Sequence, residues 1–253
     1  MAAEQPDRLA MKAMIFAAGL GTRLKPLTDH MPKALVPVRG IPLLAHQLNK
    51  LRDAGFEEVV VNVHHFADQI ENYLATHDFG LRVFLSNERE ELLDTGGGLR
   101  KALSLMGTDS PVLTHNVDIL SNADLRKMAD GYIGETVLLV SQRATQRYLL
   151  FDDEQRLVGW TNLQTGEVRS PYKRLDPARC RKWAYSGIQV VAPEMFPLMD
   201  TWPSRFSIID FYLAVCDRIA IRALPVSGLR LLDVGKQDSL EAAEQFITGQ
   251  KEN

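Results

Sequence analysis

A loop with glycines and positive charges follows the first apolar strand of the sequence. The strand Lys12–Ala17 leads into Gly19–Arg23, and Lys33 lies ten residues after the arginine. Backbone N–H groups in a glycine-bearing turn can hold a phosphate, and glycine permits the positive φ that such turns need. The loop is neither a dinucleotide fingerprint nor a P-loop, because Leu24 replaces the third glycine of GxGxxG and GxxxxGK[ST] is absent. The residues predict a phosphate site, with a structural turn as the alternative.

Three further motifs follow apolar strands later in the chain. Leu93–Gly98 contains three consecutive glycines at the start of a predicted helix, where Thr95 could act as a cap. Asp118 ends the strand-like run from 112, and Asp233 precedes a Val-Gly pair. A single aspartate at a strand end is usually a cap or turn residue. Ligands of open α/β sheets bind at the carboxyl ends of the strands, so the shared position of these motifs indicates one site.

The first loop, read as a longer string, carries a family resemblance. Gly19-Leu-Gly-Thr-Arg-Leu-Lys-Pro-Leu-Thr28 with Pro32-Lys33-Ala-Leu-Val-Pro37 resembles the sugar-1-phosphate nucleotidyltransferases. The likeness runs from residue 12 to about 124, then more weakly through Tyr185–Ile188 to Asp233–Gly235. It implies an enzyme that joins a nucleoside triphosphate to a sugar 1-phosphate and releases pyrophosphate. The Thr-Gly-Gly-Gly stretch is most similar to uridylyltransferases that act on N-acetylmuramic acid 1-phosphate, which makes that sugar and UTP the expected substrates.

The resemblance also implies roles for individual residues. The residues expected to act in catalysis are Arg23, Lys33 and Asp118. Those expected to bind the nucleotide are Ala17, Ala18, Gly19, Gly21, Thr22, Arg23, Thr95, Gly96, Gly97 and Asn116. Those expected on the sugar phosphate are Tyr185, Gly187 and Asp210. The resemblance implies Mg²⁺ as the cofactor, held by Asp118 and Asp233, and two carboxylates with substrate phosphates are a sufficient ligand set for this ion.

The sequence departs from the family pattern at two places. Val117 stands where the family has a glycine before the metal aspartate, which leaves the local backbone path open. Trp160–Gln164 lacks the lysine that many relatives place on the sugar phosphate. The basic stretch Arg169–Lys182 either compensates for that lysine or is a solvated surface loop. The six positive charges of this stretch are Arg169, Lys173, Arg174, Arg179, Arg181 and Lys182.

Other functions remain open at this stage. Within the family, the alternatives are a guanylyltransferase for mannose or heptose 1-phosphate and cytidylyl transfer to phosphocholine. From another class, a regulatory protein could keep the pocket and bind a sugar nucleotide without catalysis. The retention of Lys33 with both aspartates argues against this last alternative.

Composition sets the broad class of the chain. The 253 residues, 45% of them hydrophobic, suit one large α/β domain, predicted over 11–250 after a mobile extension at 1–10. A net charge of −3 argues against nucleic-acid and anionic-membrane partners. Cys180 and Cys216 are too few for a disulfide framework, which favours a reduced, cytoplasmic setting. The expected partners are the two substrates, and the expected assembly is a monomer or a homodimer.

The elements that must position these residues follow from hydrophobic periodicity. Strand and helix patterns alternate, which predicts a single Rossmann-like, doubly wound α/β domain with a mostly parallel mixed sheet. The resemblance implies the glycosyltransferase-A-like version of this fold. One predicted helix buries a face containing Leu43, Gln47 and Leu51, and a second is predicted over Gly98–Met106. A hairpin is predicted near 148–160, where two strands flank Asp152–Gln155.

Overall fold

A mixed β-sheet with helices on both faces forms the centre of the molecule. The computed structural model describes residues 11–251, with side chains to 249, so the extension predicted at 1–10 lies outside the described residues. Within this range the main sheet has ten strands in the order β11-β10-β9-β12-β6-β1-β4-β5, and β8 pairs with β12 and β13. The strands are β1 (Lys12–Phe16), β2 (Pro37–Val38), β3 (Ile41–Pro42), β4 (Glu58–Val63), β5 (Arg82–Asn87), β6 (Val112–Asn116), β7 (Ile119–Ser121), β8 (Thr136–Ser141), β9 (Arg147–Phe151), β10 (Leu157–Asn162), β11 (Val168–Arg169), β12 (Arg181–Val191), β13 (Ile221–Pro225) and β14 (Leu231–Asp233).

The helices lie on the two faces of this sheet. They are α1 (Leu43–Asp53), α2 (Ala67–Thr76), α3 (Asp94–Met106), α4 (Leu125–Asp130), α5 (Phe196–Met199), α6 (Ile208–Val215) and α7 (Ser239–Lys251). Buried residues of α1, α2, α4 and α7 pack in one apolar cluster, and those of α3, α5 and α6 pack in the other. A sheet covered on both faces is the doubly wound arrangement, and the predicted α/β class is confirmed.

The two halves of the sheet differ in strand direction. Strands β6, β1, β4 and β5 are parallel neighbours, which places their carboxyl ends at one edge of the sheet. The second half is mixed, because β12 runs antiparallel to β6, β8 and β9 whereas β13 is parallel to β8. The predicted hairpin is confirmed as β9 and β10. The parallel half therefore positions the motifs that follow β1, β5 and β6.

Helix α1 shows how the apolar pattern produces this packing. Leu43, Leu44, Leu48 and Leu51 are fully buried, and Gln47 is 2% exposed on the same face. Spacings of three and four residues bring these side chains onto one stripe of the helix. The predicted inward face of α1 is thus confirmed, including its single polar member.

Helix α3 and strand β7 differ from the sequence prediction. Helix α3 begins at Asp94 rather than at Gly98, so all three glycines lie within its first turns. The short strand β7 was not predicted, because its three residues pair only with β14 in a small separate sheet. This small sheet is important for the site, since it brings the segment containing Asp233 beside Asp118.

No helix among the described residues combines the length and the apolar character needed to cross a membrane. Within the same part of the chain, Cys180 and Cys216 are free thiols.

Candidate active site

The loop after β1 presents its backbone to solvent at the carboxyl edge of the sheet. Gly21 has φ 64°, and a Cβ at this position would stand 2.8 Å from Thr28 Cγ2 and 3.0 Å from Lys33 Cβ. The Thr28 hydroxyl donates to the Gly21 carbonyl at 2.8 Å and closes the turn. Among the described residues, none accepts a hydrogen bond from the N–H groups of Gly19, Leu20 or Gly21. These donors can therefore bind an anion.

The two alanines that precede this loop donate their hydrogen bonds within the protein. The N–H groups of Ala17 and Ala18 donate to Asn62 Oδ1, at 2.7 and 3.3 Å. Both alanines are buried, at 3% and 4% exposed. Their N–H groups are thus occupied within the protein and are not free to bind a ligand.

A lysine and an aspartate meet beside this loop. Lys33 Nζ forms an ion pair with Asp118 Oδ2, and both side chains are largely shielded, at 11% and 17% exposed. Asp118 lies in the tight connection between β6 and β7. The preceding Val117 is buried and donates its N–H to the Phe16 carbonyl at 3.1 Å. Its φ is not among the positive values found in the described residues. The connection therefore forms without the glycine found in the family.

Helix α1 holds this connection from behind. Gln47 Nε2 donates to the carbonyls of Val117 and Ile119, at 3.4 and 2.9 Å, which are the two residues that flank Asp118. Lys50 Nζ donates to the Ser121 carbonyl and hydroxyl, at 2.5 and 2.9 Å. Burial lowers the pKa of Lys50 to about 8. Polar groups of α1 thus fix the backbone on both sides of Asp118.

The second aspartate reaches the same place through the small sheet. Strand β14 pairs with β7, and the Val234 N–H donates to the Asp118 carbonyl at 2.8 Å. A Cβ on Gly235 would stand 2.5 Å from Asp233 Oδ1 and 2.6 Å from Arg23 Nη2, so this glycine allows the two side chains to lie close together. This pairing brings Asp233 and Arg23 near the Lys33–Asp118 ion pair. The four side chains lie beside the predicted phosphate-binding loop Gly19–Arg23, called the phosphate loop below.

The donor set at this point fits a hard divalent cation. The described residues contain no group of three or more histidine, cysteine, aspartate or glutamate side chains placed to hold a metal. Asp118 and Asp233 supply carboxylate oxygens only, and a set without nitrogen or sulfur ligands favours Mg²⁺ or Ca²⁺ over zinc. Two protein carboxylates with remaining positions for phosphate oxygens suit an ion that arrives with a phosphate substrate.

A pocket of about 340 Å³ opens next to the loop. Its walls include Ala18 and Gly19 from the loop, Thr95 from α3 and Asn116 from β6, all of them predicted nucleotide contacts. The walls also include residues that the sequence analysis did not select, namely Asn62, Glu88, Asp94 and Arg205. The asparagine within the valine-rich strand β4 was a detectable signal, whereas nothing in the sequence marks Arg205.

The glycine-rich turn of α3 packs against the segment 204–206. Gly96 lies against the ring of Phe206, and Gly97 lies against the carbonyl of Ser204. Both glycine N–H groups donate to the Phe206 carbonyl, at 2.9 and 3.3 Å. The aromatic ring that lies against Gly96 therefore belongs to the protein itself. The backbones of these two glycines are already in contact with the 204–206 segment.

The prediction that Thr95 caps helix α3 is wrong. Helix α3 has no side-chain cap, and Asp94 at its start adopts a positive φ of 61°. Thr95 Oγ1 instead accepts the N–H of Ile208 at 3.0 Å, at the beginning of α6. The threonine thus links α3, which borders the pocket, to the start of α6.

The residues predicted for the sugar phosphate lie along β12 and α6. Gly187 has φ 73° at an irregular point of β12, and a Cβ there would stand 2.8 Å from Asn116 Nδ2. Tyr185 lies just before it, and burial raises the pKa of its phenol. Asp210 on α6 pairs with Arg169 at 2.7 Å, and the Arg169 guanidinium lies 5.6 Å from the centre of the Trp160 ring. The structure thus places Arg169 between the strand that lacks the family lysine and the predicted sugar-pocket acid.

Three other basic side chains of this stretch contact groups on the protein surface. Arg179 lies 3.6 Å from Asp176, Arg181 lies 3.9 Å from Asp153, and Lys182 donates to the Pro177 carbonyl at 3.1 Å. Their carboxylate partners are more than half exposed. Arg169 is therefore the member of the stretch that contacts a predicted site residue.

The fold and the site together define a class: an α/β protein whose candidate site, with free loop N–H groups beside charged side chains, lies at the carboxyl ends of parallel strands. Residues 13–177 match the model of the MobA-like NTP transferase domain. The chain belongs to this family.

Individual relatives are named for sugar nucleotide synthesis. The chain is 50% identical over 109 residues to the N-acetylmuramate alpha-1-phosphate uridylyltransferase of Caulobacter vibrioides, a match covering 42% of this chain and 45% of that one. It is 44% identical over 115 residues to the protein of the same name from Neisseria meningitidis, covering 45% and 49%. The matches thus span about half the length of these curated relatives.

The whole fold has counterparts among solved structures. A UDP-glucose pyrophosphorylase solved in complex with UDP-glucose superposes with a TM-score of 0.75 over 95% of this chain and 99% of the other. Sequence identity in this superposition is 16%, so the likeness shows the shared fold alone.

Proposed function

We propose that this protein is a nucleotidyltransferase that condenses a nucleoside triphosphate with a sugar 1-phosphate. The observation that carries the proposal is the meeting of the free loop N–H groups with Arg23, Lys33, Asp118 and Asp233 beside the pocket. Such a cluster combines groups that donate hydrogen bonds to an anion with oxygen ligands for a cation. Family membership and the names of the relatives support the same class of reaction.

The reaction suited to these residues is an in-line displacement at phosphorus. A phosphate oxygen of the sugar 1-phosphate bonds to the α-phosphorus, and the bond to the bridging oxygen of pyrophosphate breaks. The attacking oxygen is already anionic, so no general base is needed. The loop N–H groups, Arg23 and Lys33 orient the triphosphate and offset its charge, which makes catalysis a matter of positioning and electrostatics.

The proposed cofactor is Mg²⁺, held by Asp118 and Asp233 through their carboxylates. When bound, the ion supplies positive charge that stabilises the phosphate oxygens during transfer. Lys33 pairs with Asp118 in the structure. We propose that a substrate phosphate oxygen takes the place of this carboxylate beside the lysine ammonium. Tyr185, Gly187 and Asp210 are proposed on the sugar side, with Asn116 between the two halves of the site.

The proposed substrates are UTP and N-acetylmuramic acid 1-phosphate. The support is that the relatives from Caulobacter and Neisseria carry the name of this activity and match 42% and 45% of this chain. A guanylyltransferase for mannose or heptose 1-phosphate is the alternative within the family.

A substrate panel tests the proposal. Pyrophosphate release is measured for UTP, GTP, CTP and ATP, each with N-acetylmuramic acid, glucose, mannose and heptose 1-phosphates and with phosphocholine. The proposal expects release that requires both substrates and a divalent cation, fastest with UTP and N-acetylmuramic acid 1-phosphate. Tight nucleotide binding without release from any pair would instead support the regulatory alternative.

A further inference from the structure

A buried asparagine connects the phosphate loop to the rest of the pocket wall. Asn62, near the end of β4, is 3% exposed and lies in a strand made otherwise of valines and one glutamate. Its Oδ1 accepts the N–H groups of Ala17 and Ala18, directly before the free donors of the loop. A buried amide costs free energy unless all its polar atoms are bonded, so the partner of its Nδ2 group decides its role.

That partner is a buried carboxylate. Glu88, one residue past β5, is 1% exposed, and its Oε1 accepts Asn62 Nδ2 at 2.7 Å. Its Oε2 accepts the Leu93 N–H at 3.1 Å, immediately before α3. Burial raises the pKa of Glu88, while Asn62 and Leu93 act in the opposite direction by donating to its carboxylate. The Asn62–Glu88 pair thus joins the phosphate loop to the start of α3.

Helix α3 packs closely over the pair. A Cβ on Gly98 would stand 2.8 Å from Glu88 Oε1 and 3.0 Å from Asn62 Nδ2, so α3 passes directly over the two side chains. This contact explains the third glycine of the Thr95–Gly98 stretch. The pair and the glycine fit together as one unit beneath the pocket.

We infer that Asn62 and Glu88 are positioning residues that fix the phosphate loop relative to the α3 wall of the pocket. The inference rests on the proposed function, in which the loop N–H groups hold the triphosphate and the pocket holds the rest of the nucleotide. Holding both in one geometry makes the α-phosphorus accessible in line, and small misplacements of reacting groups reduce rates strongly.

Reversing the polarity of the pair gives a specific test. Asn62→Asp keeps an acceptor for the Ala17 and Ala18 N–H groups, but two carboxylates then face each other, and their repulsion is expected to displace the aspartate and loosen those contacts. In Glu88→Gln, the amide oxygen cannot accept from both Asn62 and Leu93. In the double variant, the introduced glutamine donates to the introduced aspartate and still accepts from Leu93, so the hydrogen bond within the pair is restored with its direction reversed. Ser86→Ala is the matched control, because Ser86 pairs with Asn62 in register, is 2% exposed, and its hydroxyl has no partner among the described residues.

Two readouts are measured for each variant. The first is kcat and KM for the nucleotide and for the sugar 1-phosphate separately. The second is amide hydrogen exchange at Ala17 and Ala18, with and without nucleoside triphosphate, which does not depend on turnover. Each single variant is expected to lower kcat/KM for the nucleotide by about tenfold to a hundredfold, the effect of one lost buried hydrogen bond. Exchange at the two alanines is expected to accelerate, while the KM for the sugar 1-phosphate stays unchanged.

The double variant decides the inference. Recovery of slow exchange and of most nucleotide kcat/KM in the double variant, with no change in Ser86→Ala, supports it. A double variant no better than Asn62→Asp, or losses shared equally by both substrates, overturns it. If the wild-type protein shows no turnover with any substrate pair, the proposed function fails, and the exchange data alone still support or overturn the role of the pair in ordering the loop.

Discussion

At the scale of single residues, the ion pair between Lys33 and Asp118 is the central feature of the site. Each of the two side chains is expected to meet another charge during the reaction, the lysine a phosphate and the aspartate a cation. Their contact in the described structure keeps both charges balanced within a mostly shielded space. Replacing Lys33 is therefore expected to slow turnover more than replacing a nearby lysine on the surface.

Lys33→Ala is expected to lower kcat by about a hundredfold to a thousandfold, the usual effect of removing one group that stabilises a transition state. The nucleotide KM should rise less, because the lysine meets charge that shifts during transfer. Lys25→Ala is the control, since Lys25 is 60% exposed and pairs with Asp29 at 2.9 Å. Steady-state kinetics measure both, and an effect confined to KM would make Lys33 a ground-state binding residue.

His115 gives a pH prediction at the same scale. Burial, with Lys50 as a second cause, lowers its pKa from 6.5 to about 3, so the folded protein keeps it neutral. The unfolded chain binds the proton below pH 6.5, and the folded state therefore loses stability as pH falls from 6.5 towards 3. The contribution approaches about 1.4 kcal/mol per pH unit.

His115→Gln should remove this pH-dependent loss. Urea unfolding at about pH 7.5 and about pH 5, on either side of the ordinary histidine pKa, measures the change of stability in each protein, so a constant effect of the substitution cancels. His65→Gln is the control, because it removes an exposed histidine. Equal slopes for wild type and His115→Gln would show that His115 does not titrate differently on unfolding.

At the scale of elements, helix α1 acts as a support for the β6–β7 connection. Gln47→Leu would leave the carbonyls of Val117 and Ile119 without their shared donor, at a cost of about 1–3 kcal/mol. Turnover should fall as well, because the flanked Asp118 is less well positioned. Denaturation and kinetics test this beside Asn49→Leu, a substitution on the same helix whose recorded side-chain contact is an exposed one with Arg52. Loss of stability with unchanged turnover would limit Gln47 to folding.

The pairing of β10 and β11 selects one cation for the sugar side. Arg169 lies opposite Trp160 in register and pairs with Asp210, so Arg169→Ala should raise the KM of the sugar 1-phosphate about tenfold or more. The nucleotide KM should change little. Arg179→Ala is the control, since its side chain is 89% exposed. Equal, small effects of the two variants would make the whole basic stretch a solvated surface.

At the scale of the whole molecule, the sequence predicts more of the fold than of the site. The α/β class, the α1 face and the β9–β10 hairpin follow from local periodicity, which a single segment carries by itself. The position of Asp233 beside Asp118 depends on the β7–β14 pairing, between segments more than a hundred residues apart, and no local pattern encodes it.

The glycine-rich turn shows the same limit. Three consecutive glycines indicate close approach of another group, but the pattern does not say which group approaches. The structure shows Phe206, Ser204 and the Asn62–Glu88 pair, all of them outside the turn itself. Arg205 likewise reaches the pocket through tertiary packing alone.

The central claim is that this site transfers a nucleotidyl group onto a sugar phosphate with two aspartates holding the metal. The most direct measurement is mass-spectrometric detection of the nucleoside-diphosphate sugar, with saturating Mg²⁺, for wild type, Asp118→Asn and Asp233→Asn. The account predicts product from wild type and a loss of several orders of magnitude in each variant with the fold retained, because asparagine keeps the volume and removes the charge. No product from wild type with any substrate pair, or near-normal product from either variant, would contradict it.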